Sequence, residues 1–180
     1  MNISKLIFFP KPTDADINTQ TLLNTLIESQ FITAKELKTN HYLPGERFLN
    51  LITFLGCSPK INLFPVDGES HCFISFIEPT GLPSCVGYTK TAYPKCPSCT
   101  KRIVNWKIPD WKLPGKLCKC DKCQTITPYT ELNWKHECGF ARYGFLITQI
   151  YPYEAVPTDQ FLHILNQFSD LEWSYCYANN

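Results

Sequence analysis

Short apolar runs alternate with helical periodicities along this 180-residue chain. Residues 3–9 are, apart from Ser4 and Lys5, apolar, β-branched and aromatic, and Pro10 follows them, which predicts a buried strand. Thr13 offers an N-cap, with Asp14 and Asp16 in the first turn. Ile17, Leu23, Leu26 and Ile27 then recur near helical spacing, so a helix is predicted up to Phe31. Residues 33–36 have capping-box form and predict a helical turn through Leu37. Phe48, Leu49, Ile52 and Leu55 predict the apolar face of a further helix between Pro44 and Gly56. Residues 61–64 predict a brief strand, residues 66–69 a turn, and residues 72–77 a strand closed by Pro79. Residues 79–94 read as an irregular linker, and residues 140–151 as one long apolar strand. Thr158 caps a helix whose buried side is Phe161, Leu162, Leu165 and Phe168, and residues 173–177 predict a last strand.

Between the linker and the long strand the pattern changes from periodicity to chemistry. Cys96-Pro97-Ser98-Cys99 is followed after twenty residues by Cys120-Asp121-Lys122-Cys123. Two cysteines three positions apart sit on one tight turn with both sulfurs able to face one hollow. A second such turn completes a tetrahedron, and four thiolates at about 2.3 Å satisfy Zn²⁺ with no open position. Cys96, Cys99, Cys120 and Cys123 are therefore the candidate metal ligands. Over residues 93–127 the pattern resembles a zinc ribbon, with rubredoxin-like four-cysteine knuckles. A glycine often follows each second cysteine in such ribbons, and Thr100 and Gln124 stand there in this chain. Zinc is the expected ion, in a structural role, with iron as the alternative for a tetrahedral sulfur site. Cys118 precedes the second pair by two residues and reads as a spare thiol beside the site.

These elements predict an α+β fold: helices packed on one mixed or antiparallel sheet, with a ferredoxin-like layout as a fitting arrangement. The four-cysteine zinc ribbon, residues 93–127, is inserted into a discontinuous body of residues 1–92 and 128–180. Residues 102–108 and 116–120 are its expected strands.

Composition sharpens the setting. No apolar run approaches the roughly 20 residues needed to span a membrane, and residues 6–9 are too short for a signal peptide's apolar region. The expectation is a soluble, reduced, cytoplasmic protein without a membrane partner. The six other cysteines, Cys57, Cys72, Cys85, Cys118, Cys138 and Cys176, are then mostly small buried hydrophobes. The net charge of +1 hides an asymmetry: residues 95–123 hold eight basic residues against two acidic ones, for +6, which leaves −5 elsewhere. Zinc on four thiolates would lower the ribbon to about +4.

That basic stretch is a candidate surface for nucleic acid or another partner: Lys101, Arg102, Trp106, Lys107, Trp111, Lys112, Lys119 and Lys122. Cations serve phosphates and aromatic faces serve bases; equally, the tryptophans fit as the core of a small module solvated by lysines. A protein partner is the expectation, with nucleic acid as the alternative. An enzyme with a pocket in the body is a further reading, resting on His136, Cys138 or His71. The chain has no dinucleotide, phosphate-loop, zinc-protease or nucleophile-elbow motif, so no catalytic residue is assigned.

Overall fold

The computed structural model describes residues 4–56, 61–66 and 69–179. Among these, the order is β1 (Lys5–Lys11), α1 (Thr19–Glu28), β2 (Ile32–Lys38), β3 (His41–Pro44), α2 (Phe48–Leu51), β4 (Ile52–Phe54), β5 (Ile74–Phe76), β6 (Ser84–Tyr88), β7 (Leu117–Lys119) and β8 (Ile126–Pro128). A 3-10 turn at Tyr129–Glu131 precedes β9 (Cys138–Ala141), β10 (Phe145–Thr148), β11 (Ala155–Pro157), α3 (Asp159–Ser169) and β12 (Glu172–Ala178).

Among the described residues, twelve strands against three short helices correct the expected fold class: the protein is dominated by β-sheet, not built of helices packed on one sheet. The strands form one six-stranded sheet, in the order β12-β1-β10-β5-β3-β2, and three two-stranded ones, β11-β4, β6-β9 and β7-β8. Neighbouring strands pair antiparallel in all four sheets.

Several local expectations change as well. Residues 33–37, expected as a helical turn, lie in β2 and pair with β3 through register shifts. The helix expected between Pro44 and Gly56 is one turn, and the chain leaves it directly into β4. The expected linker contains β6, and the expected long strand is broken into β9 and β10. Residues 61–64 carry no strand, and residues 102–108 give only an isolated bridge at Arg102. Of the expected turn at 66–69, Asp67 and Gly68 lie outside the described residues, as does Cys57. In residues 33–37 and 52–54, strand pairing outweighs a local helical preference worth a few tenths of a kcal/mol per residue.

Where the local signal is strong, it holds. Thr158 caps α3, its hydroxyl oxygen accepting the Phe161 N–H at 3.2 Å. The first helix starts later than expected: Asn18, not Thr13, is its N-cap and accepts the Thr21 N–H at 2.9 Å.

β1 explains its own apolar run. It lies between β12 and β10, so both edges are paired, and each of its faces packs on a buried cluster. Leu6 and Phe8 enter the main core with Phe145, Phe161, Leu165 and Trp173. Phe8 stacks on its register partner Phe145 at 4.9 Å and meets Phe161 edge-on at 5.4 Å. Ile7 and Phe9 face the other way, onto Ala141, Cys176 and Ala178.

That second face is where the β6/β9 ribbon lies. Gly87 and Gly139 are register partners there. A Cβ on Gly87 would stand 2.4 Å from Ile7 Cδ1, and one on Gly139 2.6 Å from Phe9 Cε1 and 2.7 Å from Cys176 Sγ. The two glycines let the ribbon approach the large sheet. The ribbon's other face carries Cys85, Tyr88, Cys138 and Phe140 into a second core, which continues to residues 92–134.

Candidate metal centre

The second core supports a pair of matching turns. In the first, the Cys96 N–H donates to the Lys101 carbonyl at 2.9 Å and the Thr100 N–H to the Cys96 carbonyl at 2.9 Å. In the second, the Cys120 N–H donates to the Thr125 carbonyl at 2.9 Å and the Gln124 N–H to the Cys120 carbonyl at 3.1 Å. The hydrogen-bond offsets are identical, so both turns have one geometry. Thr100 (φ 60°) and Gln124 (φ 63°) take the left-handed conformation at equivalent positions. The knuckle therefore forms without the glycine that usually eases this conformation.

β7 and β8 are the legs of the second turn, and the Lys95–Arg102 bridge closes the first. Lys95 also pairs with Asn133, through N–H to carbonyl bonds of 2.9 and 3.1 Å in the two directions. Asp121 joins the turns to the loop between them. Its carboxylate accepts the Val104 N–H at 2.9 Å and the Asn105 N–H at 3.4 Å, which hold its pKa below the usual carboxylate range.

Cys96, Cys99, Cys120 and Cys123 converge: their four sulfurs all lie within 4.8 Å of one another. Cys96 and Cys123 Sγ are 3.6 Å apart, and Cys99 and Cys120 Sγ are 3.7 Å apart. Sulfurs bound at about 2.3 Å around a tetrahedral centre stand about 3.8 Å apart, so the spacing fits a single metal ion. The four thiols are not alike: burial and the three neighbouring sulfurs raise Cys99 to about 11, whereas Cys96 and Cys123 are lowered. The Cys99 and Ser98 N–H groups hold Cys96 below the usual thiol range, and the Lys122 N–H donates to Cys120 Sγ at 3.4 Å. Cys123 is brought down to about 6, first by its 3.2 Å contact with the Thr125 hydroxyl. Cys118 stays outside the group of four. It points inward from β7 into the second core, where burial raises its pKa.

The basic stretch divides by burial. Lys101, Arg102, Lys107, Lys112, Lys119 and Lys122 are exposed, whereas Trp106 and Trp111 are only 2% and 7% exposed. Trp106 meets Trp111 edge-on at 4.8 Å and Trp134 at 5.0 Å. The Trp134 indole N–H donates to the Tyr129 carbonyl at 2.9 Å, and the Tyr129 hydroxyl donates to the Trp106 carbonyl. These rings bear on one another beneath the knuckles. Lys107 and Lys112 lie over the rims, 4.9 Å from the Trp106 ring and 4.4 Å from the Tyr88 ring. Outside, Leu117 and Ile126 project from the hairpin that carries the second knuckle, at 53% and 61% exposure. Among so many lysines, two isolated apolar residues give no sequence signal of a shared outward face.

His136 and Cys138 line a cleft of about 1030 Å³ between the β1 side of the body and residues 130–135. They are engaged separately. His136 Nδ1 pairs with the Tyr175 carbonyl at 2.8 Å, its ring stacked on Tyr175 at 4.0 Å, while Cys138 Sγ meets Cys85 Sγ. His71 does not line that cleft. No described helix is long and apolar enough to cross a membrane. Comparison with protein-family models, curated proteins and solved structures gives no match.

Proposed function

We propose that residues 93–127 form a structural zinc ribbon inserted into a body of residues 1–92 and 128–180, and that the ribbon presents a recognition surface to a protein partner. The observation that carries the metal reading is the convergence of four sulfurs on two turns of one geometry. All four corners of the tetrahedron come from the protein, which suits a structural ion and leaves no position for substrate. The ion would hold the two knuckles together over the tryptophan cluster.

The partner reading rests on what faces outward. Leu117 and Ile126 form an exposed apolar centre, and Lys107, Lys112, Lys119 and Lys122 supply positive charge around the module. Base stacking needs free aromatic faces, and Trp106 and Trp111 are committed to the core. This favours protein over nucleic acid.

Elemental analysis of the purified protein tests the metal. One zinc per chain is expected, and none in the Cys99→Ser/Cys123→Ser variant; stoichiometric metal retained by that variant overturns the ligand set. Visible absorption would reveal iron in place of zinc. Gel shift at low and high salt tests the partner class, since phosphate binding weakens steeply with salt. Salt-sensitive binding there would replace the protein reading by the nucleic-acid one. Capture experiments with the native chain and with Leu117→Glu/Ile126→Glu place the surface: a partner lost with the variant supports it, and identical capture overturns it.

A further inference from the structure

A second pair of sulfurs meets at the base of the ribbon. Cys85 Sγ and Cys138 Sγ are 3.8 Å apart although 53 positions separate them in sequence. They belong to β6 and β9. Cys85 stands opposite Phe140, and Cys138 lies two residues from Phe140 along the same strand, so both thiols project from one face. Val86 is the extra residue of a bulge beside them, and bulges increase local twist.

The two thiols differ in environment. Cys85 is half-buried, whereas Cys138 is buried in the wall of the cleft. Burial pushes the Cys138 thiol well up. Cys85 is held below the usual thiol range, first by its hydrogen bond with Cys138 and further by the Lys112 charge. The more exposed of the two sulfurs is thus also the one held towards thiolate. The segment between them contains all four candidate metal ligands.

We propose that Cys85 and Cys138 are a peroxide-oxidisable dithiol, whose disulfide ties together the two ends of the metal-bearing segment. In the first step the Cys85 thiolate attacks one oxygen of hydrogen peroxide. The O–O bond breaks, the leaving hydroxide takes a proton to become water, and Cys85 becomes a sulfenic acid. Cys138 sulfur then attacks the Cys85 sulfur; the S–O bond breaks, and the departing hydroxide leaves as water with the Cys138 proton. Two thiols and one peroxide give one disulfide and two waters. The sulfurs close from 3.8 Å to the bond length of about 2.05 Å.

The test treats the full-length, metal-loaded protein with one equivalent of hydrogen peroxide, followed by alkylation and non-reducing peptide mapping. The expected result is a Cys85–Cys138 cross-linked peptide, with the alkylatable thiols of the denatured chain reduced by two. In Cys138→Ser, the second step is blocked, and dimedone should label Cys85. In Cys85→Ser, Cys138 should remain a free thiol. Cys85 and Cys138 both recovered alkylated after peroxide, or cross-links confined to Cys96, Cys99, Cys120 and Cys123, would overturn the proposal. The native-chain map decides this even if a variant fails to fold. Metal content measured on the same sample keeps the two readings apart: a Cys85–Cys138 disulfide in a protein that binds no metal would remove the ribbon's ion and leave the dithiol standing.

Discussion

Thr100 and Gln124 show how much one residue type can conceal. Both hold positive φ in a turn that glycine would adopt without steric cost, and Thr100 is β-branched. Thr100→Gly and Gln124→Gly are each expected to stabilise the protein by about 1 kcal/mol, with a matching rise in metal affinity. Denaturant titration and competition with a chromogenic chelator would read both. A loss of stability in both variants would mean that these side chains contribute something beyond the turn. The ligand cysteines were legible because three-residue spacing is itself the geometry of the site. Trp106 and Trp111 were not, because an indole next to lysines reads the same in sequence whether it faces water or Trp134.

At the scale of elements, α3 could be read and β2 could not. A helix with a threonine cap and an apolar stripe carries its instructions locally, as Thr158, Phe161 and Leu165 do. Residues 34–38 are also good helix formers, yet they extend because β3 offers a pairing edge. Strand β6 was hidden in an apparent linker for a similar reason: Gly81, Pro83 and Gly87 look like breakers. Gly87 is needed for contact instead, since its missing Cβ leaves room for Ile7. Gly87→Ala and Gly139→Ala are expected to destabilise by about 1–3 kcal/mol each, because methyl groups there overlap Ile7, Ala178, Phe9 or Cys176. Thermal melts would check this, and an unchanged melting temperature in both would contradict the close approach of ribbon and sheet. Replacing residues 93–127 by a short glycine-serine link should expose Tyr129, Trp134 and Phe140, which pack in one cluster with that segment's buried side chains. Increased binding of a hydrophobic dye is the expected signal, and a dye response equal to that of the native chain would show that the body closes over them alone.

For the whole molecule, pH acts through buried thiols. Burial raises Cys72 to about 12, and lifts Cys138 and Cys176 well above the ordinary thiol value. A pKa higher in the folded state than in the unfolded one means that unfolding releases protons as pH rises. The stabilisation is full below the unfolded thiol value of about 8.5 and declines as pH climbs towards the folded one. Denaturant midpoints of the metal-saturated protein should therefore fall between about pH 8 and about pH 10.5, and Cys72→Val should lessen that fall. An equal fall in the variant would remove Cys72 from the account.

The four candidate ligands, the cap and apolar face of α3, and the buried strand at β1 are each encoded by residues a few positions apart, so local pattern suffices for them. The dominance of sheet, the inward turn of the tryptophans and the meeting of Cys85 with Cys138 emerge only when the chain folds. Those outcomes depend on pairing and burial between segments tens of residues apart, and local spacing carries no record of which distant strand will arrive.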